Sequence, residues 1–228
     1  MKTIGTLTVA TLIAASAAMA ADGSRADKIL AAKPGLVMTL DDDGGRVELY
    51  HRSHSARELE YHGGAVVREP LVEIVFVGAW DSPELQSHAK TLRRAFDSLS
   101  SSDAFAATHD RGVKATALPI TTRTLEGSAK MIDLSVQRMI DRSIESGSLP
   151  SRDENTIYVL FLSPQIASTL GEKHASTDYA SYHSHFQTHD VNVRYVVVPF
   201  DDDVKSMNDA AAASVIRAIV NPDGDGWY

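Results

Sequence analysis

The strongest signal along the chain is an unbroken apolar run, Thr156-Ile157-Tyr158-Val159-Leu160-Phe161-Leu162, with turn residues on both sides. Seven residues without a charge, most of them β-branched or aromatic, read as a strand buried on both faces. Leu71-Val72-Glu73-Ile74-Val75-Phe76-Val77, ending at Gly78, predicts a second buried strand. The period then changes. Asp81 or Ser82 can cap a helix, Pro83 fits its first turn, and Glu84 favours the positive end of the helix dipole. Leu85, Ala89, Leu92, Phe96 and Leu99 recur at steps of four and three, which marks one buried face, and Ser100-Ser101-Ser102-Asp103 closes the element.

The remaining pattern is less regular. Residues 113–120 are expected to form a strand. Residues 126–146 are expected to form a helix, with Ala129, Ile132, Val136, Met139, Ile140 and Ile144 on one side, Gly147 as a left-handed stop and Pro150 beyond it. Residues 191–200 predict a further strand, ended by Pro199 and the cluster Asp201-Asp202-Asp203. Those aspartates open a last helix, with Met207, Ala211, Val215, Ala218 and Ile219 facing inward. Near the start, residues 36–40 and 46–50 can pair across Asp43-Gly44-Gly45. The order of elements predicts an α/β fold: a layered sandwich with a mixed or mostly parallel central sheet and flanking helices. The expected organisation is an N-terminal arm or hairpin over residues 21–57 and a single α/β domain over 58–228.

Residues 1–20 read as a cleaved signal peptide. Lys2 is followed by an apolar stretch from Ile4 to Ala15, and Ala18-Met19-Ala20 offers small side chains at −3 and −1, so cleavage is expected before Ala21. The apolar stretch is shorter than the roughly 20 residues a bilayer core needs. Export places the protein outside the cytoplasm, secreted or periplasmic, with no membrane span expected in the mature chain. Loss of Lys2 takes the formal charge from −8 to −9, and without a Lys/Arg run nucleic acid is not an expected partner. There is no cysteine, which rules out a thiol nucleophile and every cysteine-based metal or redox centre.

Familiar catalytic signatures are missing: no Gly-x-Ser-x-Gly, no P-loop, no Gly-x-Gly-x-x-Gly and no His-Glu-x-x-His. The most informative polar set is His183 and His185 in Tyr182-His183-Ser184-His185-Phe186, with His189 close behind. In extended backbone, positions i and i+2 share a face, so these two imidazoles are candidate ligands for one Zn²⁺. The plainer expectation is a loop of surface histidines between Tyr179 and Val191. His51, His54 and His62 match no standard metal spacing and read as solvated. Asn221, Asp223 and Asp225 with Gly226 resemble the opening of a Ca²⁺ loop but lack the glutamate that completes one, so a helix exit with Trp227 docked on the body is the simpler reading.

Several blocks taken together resemble a known family. Tyr61-His62-Gly63-Gly64-Ala65-Val66-Val67 precedes a strand ending in Gly78-Ala79-Trp80; Gly147-Ser148-Leu149-Pro150 leads into Asn155-Thr156-Ile157-Tyr158; then come Tyr182-His183 and Asn221-Pro222 with Trp227-Tyr228. In order and spacing, from about residue 58 onward, this is similar to the Exordium (phosphate-induced protein) family and its bacterial relatives. The resemblance implies an exported protein of the cell surface without an established catalytic activity. Family members carry cysteines near the Tyr182-His183 position and a metallopeptidase-like His-Glu-x-x-Glu helix ahead of Asn-Pro. Counting back from Asn221-Pro222, those positions hold Ala213, Ser214 and Arg217; a short deletion in this helix would explain the pattern equally well, and the motif is missing either way. The expectation is therefore a non-catalytic protein that binds an unknown extracytoplasmic ligand, with no cofactor. The alternative is a metal-dependent hydrolase whose zinc site is rebuilt on His183 and His185.

Overall fold

The strand expected at 156–162 lies at the centre of the protein, and the rest of the architecture follows from covering both its faces. The computed structural model describes residues 35–40, 45–50, 60–151, 153–175 and 177–227. The leader expected over residues 1–20, with His51 and His54, lies outside the described residues. In chain order the strands are β1 (Gly35–Leu40), β2 (Gly45–Tyr50), β3 (Leu71–Val77), β4 (Ile120–Leu125), β5 (Lys130–Ile132), β6 (Thr156–Leu162), β7 (Ala167–Leu170), β8 (Lys173–His174), β9 (Ser181–Thr188) and β10 (Val191–Val198). The helices are α1 (Pro83–Asp97), α2 (Asp103–Ala106), α3 (Asp133–Glu145) and α4 (Val204–Val220).

Seven strands form one mixed sheet in the order β1-β2-β9-β10-β6-β3-β4. The β10-β6-β3-β4 half is parallel and the β1-β2-β9-β10 half is antiparallel. Along β6 the side chains divide by parity. Ile157, Val159 and Phe161 pack on one face with Leu92 and Phe96 of α1 and Val215 and Ile219 of α4. Tyr158, Leu160 and Leu162 pack on the other with Val136, Ile140 and Ile144 of α3. A strand covered on both faces needs no polar positions, which is why it reads as one continuous apolar run. The fold is thus the layered α/β sandwich expected, with a mixed sheet. The hairpin β1-β2 extends that sheet, because β2 pairs with β9 from Val47↔Ser184 to Tyr50↔Ser181.

Local chemistry sets the helix ends. Ser82 accepts a hydrogen bond from Leu85 N–H at 3.2 Å at the start of α1, and Asp203 accepts from Lys205 N–H at 3.0 Å at the start of α4. Gly147 stands at φ 74° beyond α3, the left-handed stop expected of it.

Three expectations need correction. Residues 113–120 are not a strand. Pro119 lacks the N–H a ladder needs, so pairing begins only at Ile120 and continues through the threonine-rich β4. The helix expected over 126–146 begins at Asp133, because Lys130–Ile132 instead pair with β7 in a small second sheet, β5-β7-β8. Gly127 is needed bare there: a Cβ would lie 2.6 Å from Ile166 Cδ1 and 2.7 Å from Val77 Cγ1. Finally, the stretch between Tyr179 and Val191 is not a histidine loop but β9 and its turn into β10. His189 and Asp190 at the turn both have positive φ (49° and 60°), as a tight hairpin connection requires.

Candidate functional site

In an open parallel sheet the usual ligand position is outside the strand carboxyl ends where the strand order reverses, here between β3 and β6. That position is filled. A Cβ on Gly78 would meet Ser163 Oγ at 2.4 Å and Ile166 Cδ1 at 2.9 Å, so these side chains occupy the crevice. The polar chemistry lies elsewhere, under the C-terminal end of α4.

It is built from two strands and one helix. Glu48 sits opposite His183 in the β2-β9 ladder. Val47 and Leu49 turn to the α3 face, which sends Glu48 to the α4 face. His183 pairs with Val196 of β10, whose side chain packs with α4, so the imidazole points the same way. Arg217 and Asn221 come down from α4 and its exit. All four side chains are buried.

Their contacts interlock. The Arg217 guanidinium Nε lies 3.5 Å from Glu48 Oε1. Asn221 Nδ2 donates to Glu48 Oε2 at 3.0 Å, while Asn221 Oδ1 accepts the Gly226 N–H at 2.8 Å. The backbone carbonyl of Asn221 lies 3.1 Å from His183 Nε2, and Glu48 Oε2 is 3.6 Å from the same nitrogen. Burial holds the His183 pKa below its ordinary value against the opposing pull of Glu48, so the ring is neutral near pH 7 and its Nε2–H donates to Asn221. Burial also lowers the Arg217 pKa, again opposed by Glu48. Beside this set, Arg194 of β10 grips Asp223 with two bonds, Nε to Oδ1 at 3.0 Å and Nη2 to Oδ2 at 3.1 Å.

The segment ahead of β3 straps onto the same place. His62 N–H donates to Gly226 O and Gly64 N–H to Asp225 O, both at 2.9 Å, and Val67 N–H reaches Ile219 O at 2.8 Å. Gly64 has to be glycine, since a Cβ would lie 2.3 Å from the Asp225 backbone carbonyl. Tyr61 packs on Trp227 with ring centroids 5.2 Å apart. Three sequence blocks far apart in the chain, Tyr61 to Val67, Tyr182-His183 and Asn221 to Trp227, therefore meet at one site.

His183 is a buried member of the cluster. His185 is two residues further along β9 and half-buried. A zinc ion on this pair would take His183 Nε2 away from the Asn221 carbonyl and sit next to a buried guanidinium, which repels a cation. Ala213 and Ser214 are buried on α4, and Ser214 Oγ is 2.8 Å from Ser181 Oγ, which itself donates to Ala210 O. Among the described residues no three His, Asp or Glu side chains stand together as a metal-binding group. In the stretch that resembles the opening of a Ca²⁺ loop, the Asn221 and Asp223 oxygens accept hydrogen bonds from Gly226, Arg194 and Asn192.

Sequence reasoning missed Glu48 and a second buried carboxylate. Asp133, in the first turn of α3, accepts from Tyr195 Oη at 2.8 Å on each oxygen and from Gln137 Nε2 at 2.8 Å. Desolvation, then the Asp133 charge, push Tyr182 and Tyr195 well above the ordinary tyrosine pKa, which keeps both hydroxyls protonated as donors. This group ties α3 to β10 in the core. No family model and no curated protein sequence matches the chain.

Proposed function

We propose that this is an exported, non-catalytic protein of the Exordium type, acting by binding a ligand at the cell surface or in the extracytoplasmic space. One observation carries the reading. At the helix position where the resemblance puts a metal-binding acid stands Arg217, ion-paired to Glu48 inside a closed hydrogen-bonded cluster. A permanent cation held there does the opposite of what a metal centre needs, and the neighbouring positions, Ala213 and Ser214, offer one hydroxyl already bonded to Ser181. The cluster instead fixes the strap and the C-terminal loop in one conformation, which is what a rigid binding surface requires.

The test is a peptidase and esterase screen on protein recovered from the extracytoplasmic fraction, whose N-terminal sequence should start at Ala21. The expected result is turnover no higher than in a mock purification, unchanged by a strong chelator. Chelator-sensitive turnover well above that background would turn the reading toward the hydrolase alternative, and a chain starting at Met1 in the cytosol would remove the export claim.

A further inference from the structure

Buried polar atoms in folded proteins nearly always find partners, and each one left alone costs about 1–3 kcal/mol. Three such donors belong to neighbouring residues at the edge of the cluster just described. Arg217 Nη2, Arg111 Nε and Trp227 Nε1 are all buried without a hydrogen-bond partner among the described residues. They share one neighbourhood. The Arg111 guanidinium lies over the Trp227 ring at 5.5 Å from its centroid, and Arg217 Nη1 is 3.5 Å from the Trp227 carbonyl. The two arginines are near enough for Arg111 to add to the lowering of the Arg217 pKa.

The missing partner has a definite chemistry. All three orphans are donors, so it must be an acceptor. Water has two lone pairs for three donors and carries no charge. The local charge is unbalanced as well. Glu48 lies against the Arg217 Nε edge, while the Arg111 guanidinium donates from Nη1 to the Ala107 carbonyl at 2.7 Å and makes no ion pair among the described residues. Two permanent cations thus face one carboxylate, and a guanidinium edge beside a second guanidinium suits a planar or tetrahedral oxyanion. Arg111 and Trp227 are only half-buried and Tyr61 beside Trp227 is exposed, so the three buried donors lie just beneath the surface and a ligand reaches them by displacing these side chains. We infer that Arg111, Arg217 and the Trp227 indole N–H form a binding site for an oxyanionic group. This rests on the binding reading above and gives it a ligand class: a ligand that presents a carboxylate, or a sulfate- or phosphate-like group, to the strap and C-terminal loop.

The protein has two tryptophans, which makes the site directly readable. Trp80 Nε1 donates to Val77 O at 3.2 Å in the core, whereas Trp227 Nε1 has no partner among the described residues. In ¹⁵N-labelled mature protein, acetate and sulfate are titrated against chloride at constant ionic strength while the two indole N–H resonances are followed. The Trp227 resonance should move and saturate while that of Trp80 stays in place. Arg111→Gln should weaken the response at least about tenfold. Movement with acetate marks a carboxylate ligand, and movement with sulfate alone marks a tetrahedral one. The inference is overturned if neither anion moves Trp227 beyond chloride, if both indoles drift alike without saturating, or if a folded Arg111→Gln titrates as the wild type does. The wild-type titration decides on its own should that variant not fold. Failure here leaves the non-catalytic reading intact, because that reading stands or falls on turnover.

Discussion

Leu160→Asp should leave no folded protein. Leu160 is wholly buried in β6, which is flanked by β3 on one side and β10 on the other, and its side chain packs on the α3 face among Val75, Tyr195 and Val197. Every one of these neighbours is apolar or aromatic and none can pair with a carboxylate's charge. Burying an unpaired charge there costs several kcal/mol even after relaxation, comparable with the roughly 5–15 kcal/mol that holds a domain together. Far-ultraviolet circular dichroism and gel filtration of the variant should report an unfolded or aggregated chain. A soluble variant with a wild-type spectrum and a cooperative melt would show that β6 is not the centre of the structure.

The second large effect belongs to Glu48. Its carboxylate is the counter-charge of Arg217 and the acceptor for Asn221 Nδ2, and all three side chains are buried. Glu48→Ala leaves a buried guanidinium without its partner, which costs about 3–5 kcal/mol. Glu48→Gln keeps an oxygen for Asn221 but loses the charge, so it should fall between Ala and wild type. Removing both partners in Glu48→Ala/Arg217→Met should recover part of the loss, because an apolar pair strands no charge. Urea unfolding of the four proteins measures this. A Glu48→Ala variant within about 1 kcal/mol of wild type would mean that the pair is solvated and the cluster is open.

How much of this was legible in the sequence depends on where each residue finds its partner. Strands β3 and β6 and helices α1 and α4 were legible because most of their buried side chains meet generic apolar surface, and a period of 2 or 3.6 is enough to announce it. Strand β9 was not. Ser181, His183 and His185 look solvated, yet they lie on a face covered by α4, and the groups that satisfy Ser181 and His183 (Ala210, Ser214 and Asn221) are about thirty or more residues away. Glu48 fails for the same reason. Between Val47 and Leu49 it reads as the solvent side of a half-buried strand, until a helix from the far end of the chain covers that side. One signal was available. Arg217 is the single charge in the run from Ala210 to Val220, with Ile216 and Ala218 beside it, and a cation in so apolar a helix has to be answered by a carboxylate somewhere. The pattern shows that a partner must exist but not that it is Glu48.

Glu48, His183, Arg217 and Asn221 form a charge-paired lock under the C-terminal end of α4, and metal content distinguishes such a lock from a metal centre. Protein purified without chelator and dialysed against trace zinc should contain well under one equivalent of metal by elemental analysis, with no difference between wild type and His183→Ala. One equivalent of zinc per chain, lost in both His183→Ala and His185→Ala, would contradict the account and place a metal centre on β9.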